Sequence, residues 1–374
     1  MKLLRVRASN FKNCCDDFSI DFLANSKKTS EDKEYELQEI AADLFIYSTT
    51  AFIGKNASGK TTAIELLDCC YSILSDFSLE SKPYSYDNVR LEIIFYHEDF
   101  IYKYKTVLQP ASTLNNRASF SVQELYRKKY FKSKVKQIYD DDDFARMTNL
   151  TALPEDTSIV FFVLKKKETR AIYYDCNGAG LETYPLLFRA LTQYHISPSV
   201  LSSILQIFDE NIDGLEMIDE HNYRLLYQKN SSILSDKELI HLLSSGTTKG
   251  MLLYVFAAAS LKNGFDLLID EVENHFHKTL VENLISLYKD KSVNKYQARL
   301  AFTTHYCEVL DMFGRQDNIW ISKADEKVHL TNMYTDYQVR PELLKSKQFY
   351  NNAFDTSVNY EDLMRLKKVL MYGE

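Results

Sequence analysis

The sequence predicts an α/β fold with a mixed sheet, an antiparallel β lobe and a mostly helical insertion. Three observations carry that prediction. The last third alternates helical and strand-like segments: "MLLYVFAAASLK", "DLLID", "KTLVENLISLYK", "RLAFTT" and "NIWIS". An uncharged, β-branched and aromatic stretch, "LFIYSTTAFI", runs into a glycine-containing turn and then an amphipathic helix. Between residues 89 and 129 lies an alternating pattern that reads as an antiparallel meander.

Taken in order, "KLLRVRASNF" and "FSIDF" alternate apolar and polar residues and read as half-buried antiparallel strands. "NSKKTSEDKEYELQE" is polar and reads as a loop or a short exposed helix. Residues 44–53 carry no charge and predict one strand buried on both faces. In "AIELLDCCYSIL", Ile64, Leu67, Cys70, Tyr71 and Leu74 fall at helical spacing. The meander follows, with "HEDF" as the turn between its first two strands. "IVFFVL" fits a strand or the start of a buried helix, and residues 180–240 read as mixed and mainly helical. The expected organisation is an N-terminal half over 1–128, an insertion or helical lid region over 129–240, and a C-terminal half over 241–374.

The composition is that of a globular protein: 374 residues, 45% hydrophobic and 26% charged. A net charge of −7 argues against a chain that coats nucleic acid, while leaving room for a local basic face. One such face is "YRKKYFKSKVK", whose cations from Arg127 to Lys136 are followed by the acidic run Asp140–Asp143; a solvated or protein-docking surface is the preferred reading. "LKKKETR" is a second basic run. The cysteines, Cys14, Cys15, Cys69, Cys70, Cys176 and Cys307, have no zinc spacing and are expected to be reduced thiols of a cytoplasmic protein. The basic N-terminus lacks an apolar signal region, and "MLLYVFAAASL" is too short to span a bilayer, so the chain is not expected to be integral to a membrane, which leaves room for docking on a membrane partner.

The chemistry-bearing segments begin with "GKNASGKTT". Glycine, four residues, Gly-Lys-Thr, after a strand and before a helix, is the phosphate-binding loop pattern. Glycines let backbone amides turn toward phosphate oxygens, and the helix N-terminus adds partial positive charge. Gly54, Asn56, Ser58, Gly59, Lys60, Thr61 and Thr62 are the candidate ATP-binding residues. Lys60 would reach the β- and γ-phosphates, and the Thr61 hydroxyl would ligate Mg²⁺. "FDLLIDEVEN" ends an apolar run in Asp270, a candidate for the Mg²⁺ shell, and Glu271, a candidate general base. In "LAFTTHYCEVL", His305 follows another apolar strand, placed to contact the γ-phosphate or the attacking water. "LLSSGTTKG" puts Ser244, Ser245 and Gly246 at the start of a helix, where a hydroxyl and free amides can cap the helix or hold an anion.

The order of these segments resembles the ABC class of ATPases, whose signature lies just before the carboxylate strand. The Leu-Ser-x-Gly-Thr form at 243–247 looks like its chromosome-maintenance, recombination and OLD-like branch. "KLLRVRASNFKN…FSIDF" is similar to the opening strands of that branch. "DEVENHFHKTL" is similar to its Asp-Glu-x-Glu-x-x-x-His-Pro segment, with His277 on the histidine and Lys278 in place of proline. The tail "FGRQDNIWISKADEKVHLTNMYTDYQVRPE" resembles bacterial AAA-type abortive-infection ATPases of anti-phage defence. The resemblance covers roughly residues 1–128 and 241–360.

It implies an ABC-type head that dimerises around ATP and Mg²⁺ and hydrolyses ATP to ADP and phosphate. Glu271 and His305 would act in hydrolysis, and Ser244, Ser245 and Gly246 would contact the γ-phosphate held by the other subunit. No Asp-x-Asp or His-Asn-His nuclease constellation follows Glu271. The implied role is therefore a sensor or scaffold controlling a separately encoded nuclease or toxin. A DNA-repair or chromosome-associated ATPase, a transporter subunit, and an ATP-locked dimer with incidental hydrolysis are the rival readings. The glutamine that links such sites to their lid has only positional candidates, Gln109 and Gln123. Phe11 is the guess for adenine stacking, with a core role preferred.

Overall fold

The computed structural model describes residues 1–76, 79–80, 82–110, 117–147, 153–164, 168–175, 182–274, 276–337, 339–340, 343–356 and 360–372. Cys176 and the lysines of the second basic run, Lys165–Lys167, lie outside the described residues.

The chain opens with β1 (Lys2–Ser9) and β2 (Phe18–Asp21). β3 (Leu37–Ala41) and β4 (Leu44–Tyr47) form a hairpin, and β5 (Thr49–Ile53) leads into α1 (Lys60–Ser75). The meander is β6 (Val89–His97), β7 (Phe100–Gln109) and β8 (Ser119–Lys129), extended by β9 (Ala145–Arg146). Then come α2 (Val160–Leu164), β10 (Ala171–Asp175), α3 (Thr183–Gln193) and α4 (Pro198–Phe208). β11 (Ile212–Met217), β12 (Asn222–Tyr227) and β13 (Asn230–Ser235) precede α5 (Asp236–Leu242) and α6 (Ser245–Asn263). The chain continues through β14 (Asp266–Asp270), α7 (Lys278–Lys289), β15 (Leu300–Thr304), β16 (Ile319–Ala324), β17 (Val328–Asn332), α8 (Lys345–Tyr350) and α9 (Tyr360–Tyr372).

Two six-stranded sheets organise these elements. One is antiparallel, in the order β2-β1-β6-β7-β8-β9. The other is mixed, in the order β10-β14-β15-β5-β16-β17, with only β17 antiparallel to its neighbour. α1 is buried between them: Ile64, Leu67 and Cys70 share a core with Val6, Ile93 and Phe95 on one side and Phe52, Leu268 and Ala301 on the other. The opposite face of the mixed sheet (Ala51, Ile53, Leu267, Ile269, Phe302) packs under α6, α7, α3 and α4. This is the α/β architecture with a mixed sheet and an antiparallel lobe that the sequence predicts.

Two details differ from the sequence reading, and one open alternative is resolved. The stretch 44–53 is two strands, because the chain changes sheets at Ser48. Its N–H donates to the Glu36 carbonyl (2.9 Å), after which β5 pairs with β15 and β16. "IVFFVL" resolves as the short helix α2. The insertion contains, beside its helices, the three-stranded sheet β11-β12-β13, and it lends β10 to the mixed sheet. The β12–β13 turn, Gln228-Lys229, has positive φ at both residues (48° and 67°), as does the "HEDF" turn at Glu98 and Asp99 (46° and 64°). Such two-residue turns match the twist of a hairpin.

A buried ion pair ties all three layers. Arg299 stands just before β15 and meets Asp266 through Nε at 2.8 Å and Nη2 at 2.5 Å. Its Nη1 donates to the Leu3 carbonyl of β1 at 2.9 Å, and the Tyr71 hydroxyl of α1 donates to the same carboxylate. Burial opposes ionisation of Asp266, but Arg299 and Lys2 hold it below the usual carboxylate range.

Candidate functional site

β14, β15 and β5 are consecutive in the mixed sheet and parallel, so their C-terminal ends share one edge. That edge carries Asp270, His305 and the loop 54–59. Ligands of open α/β sheets bind at such an edge.

The loop is held by its glycines. Gly59 has φ +92°, and a side chain there would collide with Val328 of β17. A Cβ on Gly54 would lie 2.5 Å from the Ser58 hydroxyl and would also clash with the Ser322 carbonyl. Ser322 in turn donates its hydroxyl to the Ser58 carbonyl (2.6 Å), so β16 and β17 brace the loop from outside. Ser58 is fully buried, and its hydroxyl has no hydrogen-bond partner among the described residues. Asn56 is exposed at the loop's tip, and Thr62 is buried in the first turn of α1.

Lys60 is 6% exposed, with Nζ donating to the carbonyls of Gly54 (3.1 Å) and Lys55 (3.0 Å). Burial lowers its pKa, opposed by the charges of Glu273, Asp270 and Glu271. Nζ also lies 3.4 Å from His305 Nδ1. Burial, then the Lys60 charge, push the His305 pKa below the ordinary imidazole value, which favours the neutral ring. An ammonium can only donate, so Nδ1 accepts and Nε2 carries the proton. Nε2 faces Glu271 Oε1 at 3.9 Å, beyond hydrogen-bond range.

Asp270 ends β14, 4% exposed. Its Oδ2 accepts from the Thr61 hydroxyl at 2.8 Å and its Oδ1 from the Thr303 hydroxyl at 2.6 Å. Glu271 then takes a left-handed conformation (φ +52°), rare for a residue with a side chain and costing of order 1 kcal/mol or more. Its N–H donates to Thr303 Oγ1 (2.6 Å), which holds the turn, and Asn274 Nδ2 donates to its Oε2 (3.2 Å). The structure thus brings Lys60, Thr61, Asp270, Glu271 and His305 together, as the sequence order implies.

The donor set fits ATP with Mg²⁺. Thr61 and Asp270 already touch, and a magnesium ion characteristically takes one or two protein ligands plus phosphate oxygens. The unpartnered Ser58 hydroxyl lies inside the glycine-shaped loop, where a phosphate oxygen would satisfy it. The sequence reading missed Thr303, Glu273, Asn274 and Ser322. A threonine within "LAFTT" and a second glutamate after "DE" were visible, but their partners come from neighbouring strands.

Ser244 caps α6, its hydroxyl accepting from Thr247 N–H at 3.0 Å, and α6 begins at Ser245. Ser244 and Ser245 are exposed, and Gly246 is half-buried. The N–H groups of Ser245 and Gly246 find no acceptor among the described residues. The second glycine of "LLSSGTTKG", Gly250, has a separate purpose: any side chain there would run into the Phe208 ring of α4.

Several positional guesses resolve as structural. Gln123 accepts from the Tyr104 hydroxyl (2.6 Å) and Ile159 N–H (2.9 Å) and donates to the Thr157 carbonyl (2.8 Å), which ties its amide to neighbouring structural elements. Phe11 is fully buried against Tyr84. His277 caps α7, its Nδ1 accepting from Thr279 N–H (3.4 Å), and Lys278 pairs with Glu282 at 3.5 Å. The basic run folds back on acids: Lys132 meets Asp43 at 2.8 Å, Lys134 meets Asp143, and Lys128 donates to the Asp140 carbonyl at 2.9 Å. Among the described residues no helix is long and apolar enough to cross a membrane.

A cleft of about 930 Å³ lies elsewhere, lined by Asp32, Glu36, Lys289, Asp311 and Arg315. Two of its cations are paired within it, Lys289 with Glu36 at 2.5 Å and Arg315 with Asp32 at 2.9 Å.

No family model and no curated protein matches the chain. Solved structures do. The SMC head domain from Thermotoga maritima is 12% identical with a TM-score of 0.45, covering 89% of this chain and 99% of its own. An SmcHead bound to the C-winged helix domain of ScpA is 12% identical with a TM-score of 0.46, covering 89% of this chain and 98% of its own.

Proposed function

We propose that this chain is an ABC-type ATPase head that binds Mg²⁺-ATP and closes against a second copy. The observation that carries the reading is the 2.8 Å contact between Thr61 and Asp270, with Lys60 and His305 beside it, at the shared edge of three parallel strands. The loop amides and Lys60 hold the phosphates, while Thr61 and Asp270 hold the metal. When bound, Mg²⁺ neutralises phosphate charge and helps align the γ-phosphate. Glu271 accepts the proton of the attacking water, and neutral His305 donates from Nε2 toward the oxygen that gains charge. The exposed Ser244 hydroxyl and the free Ser245 and Gly246 amides are donors suited to the γ-phosphate of the other copy.

Lys60→Ala is the test. Removing this ammonium is expected to weaken ATP binding by about 10- to 100-fold, the effect of losing a charge-assisted hydrogen bond worth about 1.5–3 kcal/mol. Titration with a fluorescent ATP analogue reads this directly. Equal affinity for wild type and variant would remove the phosphate assignment.

Control of a separately encoded nuclease or toxin in anti-phage defence is the finer reading, supported by the resemblance of the signature and tail segments. Affinity capture from the native host should recover such an effector. Recovery of chromosomal DNA instead would favour the chromosome-associated alternative. The pairing of Lys132 with Asp43 and of Lys134 with Asp143 favours the first.

A further inference from the structure

Glu273 sits within the site beside the groups assigned to nucleotide and metal. It is 9% exposed, on the turn between β14 and α7. One carboxylate oxygen, Oε1, accepts the main-chain N–H of His305. The other, Oε2, is buried with no hydrogen-bond partner among the described residues. A half-satisfied buried carboxylate is costly, and such groups call for an explanation. Simple loop fastening does not supply one. The loop is already tied to β15 by Val272 N–H on the Thr303 carbonyl (3.1 Å) and by Glu271 N–H on the Thr303 hydroxyl (2.6 Å).

The bond to His305 is different in kind. His305 is the first residue beyond β15, so an acceptor on its own N–H fixes where the chain leaves the strand. That exit sets the ring between Lys60 Nζ, 3.4 Å from Nδ1, and Glu271 Oε1, 3.9 Å from Nε2. The Glu273 charge also faces Lys60, where it is the leading group opposing the effect of burial.

We propose that Glu273 is a positioning residue for hydrolysis, acting through the main chain of His305 rather than on the nucleotide. The proposal rests on the ATPase reading. It predicts a loss in kcat with little change in ATP affinity, because the group it places works during turnover.

The experiment is a double-mutant cycle on Glu273→Ala and His305→Ala, with Glu273→Gln as the conservative variant and ATP binding measured alongside turnover. Thermal melting confirms that each variant is folded. Glu273→Ala is expected to reduce kcat on the order of 10- to 100-fold, the effect of misplacing a catalytic group by about an ångström. Glu273→Gln keeps an oxygen for His305 N–H and should restore most of the rate. The double variant should be no slower than His305→Ala alone. Additive losses, a Gln variant as slow as Ala, or wild-type turnover in Glu273→Ala would each overturn the proposal while leaving the ATPase reading intact. A wild-type protein with no Lys60-dependent hydrolysis would overturn that reading, and this role with it.

Discussion

Glu271→Gln is expected to lower kcat for ATP hydrolysis by about 10²- to 10⁴-fold, the range for losing a general base, while ATP affinity stays close to that of wild type. The prediction follows from what glutamine keeps and what it loses. It keeps the acceptor for Asn274 Nδ2, now at 3.2 Å from Oε2, and leaves the main-chain bond to Thr303 untouched. It therefore keeps the left-handed turn that aims this side chain past the end of β14. It loses the basicity needed to take a proton from water. Initial-rate kinetics with equilibrium nucleotide binding separate the two parameters. A Gln variant with wild-type kcat would assign the base elsewhere.

Arg299→Leu is expected to destabilise the protein by about 3–5 kcal/mol, the cost of leaving a buried partner charge uncompensated. Asp266 would lose its two guanidinium contacts and the cation that holds its pKa below the usual range despite burial. The Leu3 carbonyl would lose its donor, and Tyr71 of α1 would remain on an unpaired carboxylate. Because these groups belong to three different layers, the loss should be cooperative, lowering the urea midpoint with little change in slope. Replacing Asp266 and Arg299 together by leucine should recover much of the stability, since removing both members of a buried pair avoids the orphaned charge. By contrast Lys132→Ala, which breaks the exposed pair with Asp43, should leave the midpoint unchanged.

The parts of the fold that repeat were legible in the sequence. Alternation over 89–129 showed the meander, and the helix–strand alternation after residue 250 showed the parallel strands. The pattern around Lys60 showed the loop because its glycine spacing and its place between a strand and a helix are local signals, although Ser322 and Val328, which crowd those glycines, are distant in the chain. The hidden parts depend on long-range partners. Ser48 could not announce a change of sheet, because the switch is made by the Glu36 carbonyl and by pairing with β15 and β16. β11 to β13 were masked by the helical patterns on either side of them. Glu273 was visible as the second glutamate of the Asp-Glu-x-Glu segment, but its partner was not, because that bond runs to His305, thirty-two positions along the chain. Ser244 was ambiguous for a physical reason: a helix cap and an anion donor need the same hydroxyl and the same free amides, and the structure shows the cap formed with two amides to spare.

Binding of ATP between two copies of this chain is tested most directly by the solution mass of Glu271→Gln with and without Mg²⁺-ATP. Light scattering coupled to gel filtration should show the nucleotide converting single chains to pairs, and Ser244→Arg on the same background should prevent it without weakening ATP binding to the single chain. A variant that binds ATP yet keeps the mass of one chain would contradict the account.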